Sequence, residues 1–333
     1  MAALGVGAVA AIAAMLPVLP TTSHAEDATI AGFDLSGYAS PVALYFFEPE
    51  IPIPTTPQGD VEYSYTSATM SNGPFATAVS SSVYPGATLA TGLPQFAPPV
   101  PPPFQKLLTP PPYPIYETAN YPGSPTEAHA EKTIPHTGIG MTADASATKS
   151  VGSAQSGQSF DPAVLSFANA ASTTTAQQTA NKVTMTTDAT ASDVTFLGLV
   201  HVDSVHSVAT ASSSPDKGTP GGGVTVGGIS VLGVSVTVTD KGTTVGPVKL
   251  PAIPGLPSTG AALLSTLGIT FSPPTVTPTV SGAAVRQSIS GVQVSVNLSR
   301  YTAALRTLPI ETLINTVIPQ SVQDKREGAR PKK

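Results

Sequence analysis

With 333 residues the chain has room for one large domain or two ordinary ones, at roughly 100–200 residues per domain. Only 11% of residues are charged and 41% are apolar, which excludes a chain kept disordered by charge. The net charge of −5 argues against a nucleic-acid partner, and the absence of cysteine excludes disulfide staples, thiol catalysis and thiolate-bound zinc.

The chain opens with a leader. Residues Ala2 to Pro20 are almost all apolar and small, and Ser23-His24-Ala25 fits the small-x-small rule for cleavage before Glu26. Pro17 and Pro20 break the run, and it is short for a membrane span of roughly 20 residues, so a cleaved export signal is expected over an anchor. The run departs from the usual pattern in having no basic residue before it; the first Lys or Arg is Lys106.

The chain, with 35 Pro and 29 Gly among abundant Ser, Thr and Ala, suits short strands joined by turns. Phe33, Leu35, Gly37 and Ala39 alternate with Asp34, Ser36 and Tyr38 as on a half-buried strand. Val42 to Phe47 reads as a strand covered on both faces, and Val61, Tyr63 and Tyr65 resume the two-residue period. Residues 84–125 carry Pro98–Pro103, Pro110–Pro112 and three Tyr-Pro pairs. Proline lacks the ladder donor and fixes φ, so this stretch is expected to be an extended strap outside the central sheet. Met141, Ala143 and Ala145, and then Val183, Met185 and Ala189, alternate small or apolar residues against polar ones.

From Val194 onward the strand pattern is strongest. Val194 to Leu199, Val202 to Val208, Val224 to Ile229, Val231 to Val238 and Val245 to Leu250 read as strands. Ser213 to Gly218 and Asp240-Lys241-Gly242 read as turns, and Gly221-Gly222-Gly223 as a hairpin connection. In the strand Val231 to Val238, the residues Leu232, Val234, Val236 and Val238 are expected inward, with Val231, Ser235 and Thr237 on the other face. Leu256-Pro257-Ser258-Thr259-Gly260 spells a sortase motif, but about 70 residues follow it. The local reading is a helix capped by Ser258 or Thr259, with Ala261, Leu263, Leu264 and Leu267 on its apolar face and Gly268 ending it. Ala283 to Leu298 supplies further strands, Leu305 to Val317 a final helix, and residues 321–333 a basic tail expected to be disordered.

The order of Val83-Tyr84-Pro85-Gly86, Pro112-Tyr113-Pro114-Ile115-Tyr116 and Tyr121-Pro122-Gly123-Ser124-Pro125, then the Ala/Thr strands and Gly228-Ile229-Ser230-Val231 through Asp240-Lys241-Gly242, resembles a set of actinobacterial secreted proteins. The resemblance implies extracytoplasmic residence and a β-rich fold, and it brings no functional residues.

Chemistry-bearing residues are few. His201 and Asp203, two apart on a strand, would share a face and offer a metal two ligands, with His206 on the opposite face unless a bulge intervenes. His129 and His136 complete the histidines after the leader. Glu48 with Glu50, or Asp60 with Glu62, form carboxylate pairs of the kind glycoside chemistry needs. No G-x-S-x-G elbow or phosphate loop occurs, so no catalytic residue is assigned and no cofactor is expected. The expectation is an all-β fold, an extended twisted antiparallel sheet or sandwich with one or two short helices, forming a single domain over residues 26–320. The expected role is a non-catalytic protein of the cell envelope or secreted fraction, structural or binding, without an integral membrane span in the mature chain. Its partner is left unassigned, a cell-envelope polymer and an apolar small molecule being the candidates. The alternatives are a carrier holding an apolar small molecule in a curved-sheet groove, or a hydrolase.

Overall fold

The structure, a computed structural model, describes residues 2–5, 30, 32–47, 57, 59–86, 116–123, 128–135, 137–157, 164–246, 257, 259–297, 299–300 and 303. The fold is all-β, with every strand pairing antiparallel, as the alternation implied. One sheet has eight strands. Its path runs β18 (Ile269–Ser272), β21 (Gln293–Val296), β1 (Ala2–Gly5), β3 (Val42–Phe46), β4 (Gly59–Ser71), β5 (Phe75–Tyr84) and β6 (Tyr116–Tyr121). The eighth strand, β2 (Asp34–Ala39), continues the line of β3 along the same edge of β4. The second sheet has eleven strands. It runs β17 (Gly242–Val245), β16 (Val234–Thr239), β15 (Ile229–Val231), β13 (Val200–Ser213), β12 (Val183–Phe196), β11 (Asn169–Gln178), β9 (Lys149–Ser156), β8 (Ile139–Ala145) and β7 (His129–Ile134). Two more strands complete it: β10 (Leu165–Ser166) on β12 and β14 (Gly218–Val226) on β13. A hairpin of β19 (Thr275–Ser281) and β20 (Ala284–Ser290) forms a separate two-stranded sheet.

The two large sheets face each other, and two single residues decide what lies between them. Ser64 in β4 and Asp193 in β12 both take positive φ, each 52°. A left-handed residue in a strand rotates the chain, so the inward positions change parity there. In β4 they run Tyr63, then Thr66, Ala68 and Met70; in β12 they run Ala189 and Ala191, then Val194 and Phe196. The expected continuation from Tyr63 to Tyr65 is therefore overturned, and Tyr65 points outward. β13 follows its neighbour, with Asp203 and Ser204 both exposed between buried Val202 and Val205. Gly227-Gly228 makes room for this kink, since a Cβ at Gly228 would lie 2.3 Å from Asp203 Oδ2.

On one side of the kinks the sheets enclose a bulky core. Leu44, Tyr63, Phe167, Phe196, Val202 and Val294 pack there with Leu263, Leu264 and Leu267 of the helix α1 (Gly260–Leu267). On the other side the facing residues are small, and the sheets come together by hydrogen bonds. Thr66 Oγ1 lies 2.9 Å from both Ser172 Oγ and Thr174 Oγ1, Ser64 Oγ donates to the Ala170 carbonyl at 2.8 Å, and Ser150 Oγ to the Thr77 carbonyl at 2.8 Å. Stacked sheets ordinarily stand roughly 10 Å apart, so a hydroxyl on a one-atom stem reaches the opposite main chain only where the gap has narrowed well below that. A Cβ at Gly152 would lie 2.3 Å from the Val79 carbonyl oxygen. Past this zipper a second cluster closes the end, with Phe33, Leu35, Met70, Met185, and Val285 and Ile289 of the hairpin.

Several local expectations change. Val231 to Val238 is two strands, because Leu232 (φ 52°) and Gly233 (φ 80°) form a two-residue turn with both central residues left-handed, the twist-compatible hairpin type. Val231 is buried together with Leu232, Val234 and Val236, so the assignment of Val231 to the opposite face is corrected; Ser235 and Thr237 are exposed and Val238 half-buried. Gly221–Gly223 lie within β14, not in a connection, where Gly222 pairs with Ala209 too closely for a Cβ. The turns Ser214–Lys217 and Asp240–Lys241 fall where expected. Of the 84–125 strap, Tyr84 ends β5 and Tyr116–Tyr121 is the sheet-edge strand β6. Residues 87–115, 124 and 125 of that strap, the leader apart from residues 2–5, and the expected helix and basic tail after residue 303 lie outside the described residues.

The helix forms as read. Thr259 Oγ1 accepts from the Ala262 N–H at 3.2 Å, and Gly268 closes the C-terminal end at φ 66°. Leu263, Leu264 and Leu267 face inward, whereas Ala261 is exposed. No helix among the described residues is long and apolar enough to cross a membrane.

Candidate functional site

The strand alternation of β13 puts His201 and Asp203 on the outer face of the eleven-stranded sheet. His201 Nε2 is 3.1 Å from Asp203 Oδ1 and 4.0 Å from Asp193 Oδ1, while Nδ1 is 3.2 Å from Thr195 Oγ1. With its proton on Nε2 the ring donates to Asp203, and Nδ1 accepts from the Thr195 hydroxyl. Both nitrogens are then engaged by neighbouring side chains. The kink at Asp203-Ser204 also brings His206 to the outer face, where Nε2 meets Asp188 Oδ1 at 3.1 Å. His129, on the edge strand β7, pairs through Nδ1 with Asp144 at 2.6 Å, and this carboxylate raises the affinity of the ring for its proton. Among the described residues no group of three His, Cys, Asp or Glu is arranged to hold a metal ion. His136, Glu48 and Glu50 lie outside the described residues.

The outer face of the eight-stranded sheet carries a cluster that sequence reasoning half saw. Asp60 and Glu62 sit two apart in β4, in register with Tyr45 of β3 and Tyr84 of β5 respectively. Because Ser64 reverses the alternation, Tyr65 joins the same face. Its ring stacks on Tyr84 with centroids 4.4 Å apart and planes at 16°, and on Tyr38 of β2 at 6.2 Å and 27°. The row thus crosses β2, β4 and β5 at close to the spacing of neighbouring strands. The three rings are each half-buried on this face. Beside it, burial pushes Glu62 up to about 7, and the Asp60 carboxylate adds to the effect. Its Oε2 is buried without a hydrogen-bond partner among the described residues. Tyr38, Tyr45, Tyr65 and Tyr84 are all raised above the ordinary phenol range, burial first and the Glu62 charge contributing. Gly86, at φ 77°, closes over Asp60 so tightly that a Cβ would lie 1.7 Å from Oδ1.

The pairing Asp60 with Glu62 was visible in the sequence as two carboxylates at a strand period. The tyrosines were not, because they come from three strands and one of them reaches this face only through the left-handed Ser64. What the cluster can do chemically is to offer hydroxyl donors and acceptors and a carboxyl that changes charge near neutrality. The interior offers less. An apolar gap lined by Val231, Val234, Val236, Val245, Gly260, Leu263 and Leu264 lies under α1 and is too narrow to hold a water molecule. Comparison with protein-family models, with curated proteins and with solved structures found no match.

Proposed function

We propose that the chain is an exported, non-catalytic protein of the cell envelope or secreted fraction, resembling actinobacterial secreted proteins, whose role is structural or binding. The apolar leader ending in Ser23-His24-Ala25 supports the address. The observation that carries the binding mode is the hydroxyl zipper between the sheets, in which Thr66, Ser172 and Thr174 bridge the faces directly. Facing sheets in hydrogen-bonded contact leave no groove between them for an apolar guest, which weighs against the carrier reading. A partner is then met from outside, and the half-buried row Tyr38–Tyr65–Tyr84 beside Asp60 and Glu62 is the candidate place on the outer face of the eight-stranded sheet. A hydroxylated envelope polymer suits such a surface.

The test is sedimentation of the purified protein with isolated cell-wall polymer. The wild type should pellet with the polymer, and Tyr65→Ala should reduce the bound fraction severalfold while far-ultraviolet circular dichroism stays unchanged. Wild-type protein that remains in the supernatant contradicts the reading, and lipid co-purifying with the protein in native mass spectrometry would restore the carrier.

A further inference from the structure

β1 occupies a place that leader removal would vacate. It runs between β3 and β21, antiparallel to both. Ala2 is in register with Phe46 and Val296, Ala3 with Tyr45 and Ser295, Leu4 with Leu44 and Val294, and Gly5 with Ala43 and Gln293. In the strand order it is the piece that joins β18 and β21 to β3 and the rest of the eight-stranded sheet. Cleavage before Glu26 takes this strand away. Two facing edges then lose the partners of their main-chain N–H and C=O groups, beside Leu44, Val294 and Val296, which belong to the larger core. Unpaired main-chain groups at a buried edge are costly, and an open edge is a template for another strand.

We infer that the processed chain carries a strand-acceptor slot between β3 and β21, which takes an extended, uncharged segment of small residues from a partner polypeptide. The inference rests on the proposed removal of residues 1–25. The chemistry of the occupant is read from β1 itself: Ala-Ala-Leu-Gly bridges the gap main chain to main chain over four residues. Recognition of this kind draws affinity from main-chain hydrogen bonds and selectivity from alternate side chains. The competing outcome is closure, with β3 pairing directly to β21. Closure requires β21 and its neighbours to move by one strand spacing of ~4.8 Å. Val292, Val294 and Val296 pack in one core with Leu263, Leu267 and Val42, so that core would have to be rebuilt.

The experiment uses the processed chain recovered from the medium, its N-terminus sequenced, and the unprocessed chain retaining residues 1–25. The probe is a fluorescein-labelled peptide of residues 2–9, AALGVGAV, carrying a two-lysine solubilising tail. Saturable binding to the processed chain, at least tenfold tighter than to the unprocessed one, is expected. A second variant, Ala43→Cys with Gln293→Cys, reports closure. With a strand between them these positions are two spacings apart, ~9.6 Å, beyond the ~7 Å reach of a disulfide, so saturating peptide should block their oxidation. Failure of the peptide to bind the processed chain overturns the inference, as does a disulfide that forms regardless of peptide. Oligomers of the processed chain that the peptide disperses would make the occupant a second copy and overturn the assignment to a partner. A secreted chain that still begins at Met1 or Ala2 overturns the processing reading and, because β1 then fills the slot, the inference with it. A correctly processed chain that fails to bind the peptide overturns the inference alone.

Discussion

Glu62 shows how one side chain can give the protein a pH dependence. Its carboxyl has an ordinary value of 4.5, and burial with the neighbouring Asp60 moves it to about 7 in the folded protein. The folded state therefore holds this proton more tightly than the unfolded state does. The stability linked to it is fully present below about pH 4.5 and is lost as the pH rises through 7. A shift of that size corresponds to about 3 kcal/mol at most. Glu62→Gln removes the ionisation, so wild-type stability relative to the variant should fall between pH 4.5 and pH 8; urea midpoints across that range measure it, and a flat difference would show that Glu62 is well solvated. Thr259 is a second residue with a separable effect. Its hydroxyl accepts the Ala262 N–H, and Thr259→Ala should cost about 1 kcal/mol in a denaturant melt without altering where the protein resides. Release from the cell wall on that substitution would instead favour the sorting-motif reading.

The strands show which parts of the fold were legible from the chain. Leu35 to Ala39, Met141 to Ala145 and Val183 to Ala189 alternate without interruption, and each buries the set that the alternation selects. The helix was legible too, because Thr259 and Gly268 are chemically suited to its two ends. The parity changes at Ser64 and Asp193 were not. One left-handed residue inside a strand changes no hydrophobic count, yet it reverses every side chain beyond it. The Leu232-Gly233 turn hid for a related reason: its first position holds an apolar residue where Asn or Asp is usual, so the apolar run passed for one strand. That position also placed Leu232 in the core, which is why most of the expected inward set survived the error in the strand boundary. The same blindness hid most of the tyrosine row, since Tyr38, Tyr65 and Tyr84 meet only after pairing and reversal. At this scale β16 offers a sharp contrast between neighbours. Val236 is 3% exposed in the larger core and Thr237 faces water. Val236→Asp should cost at least about 3 kcal/mol, because an unpaired carboxylate would enter an apolar layer. Thr237→Asp should cost less than about 1 kcal/mol. Thermal melts of the two variants decide the register, and equal losses would refute it.

Across the whole molecule, the low-complexity Ala, Ser, Thr and Gly of the middle third acquire a physical purpose. Large side chains would hold two sheets apart; alternating small ones let the sheets approach until hydroxyls span the gap, as Thr66 does to Ser172 and Thr174. This tight layer lies between a bulky core on one side and the Leu35–Met70–Met185–Ile289 cluster on the other, in a chain without cysteine. The claim that the sheets meet main chain to main chain is open to one direct measurement, the denaturant stability of Gly152→Ala beside Gly140→Ala. Both glycines lie in strands with ordinary φ. A Cβ at Gly152 would lie 2.3 Å from the Val79 carbonyl oxygen and 3.2 Å from that of Ser67, whereas one at Gly140 meets nothing within 4 Å. Gly152→Ala should therefore lose about 2 kcal/mol or more, because a backbone carbonyl cannot swing aside. Gly140→Ala should be neutral or gain about 0.5 kcal/mol from reduced chain entropy. Matching stabilities for the two variants would contradict the close approach of the sheets and the functional reading built on it.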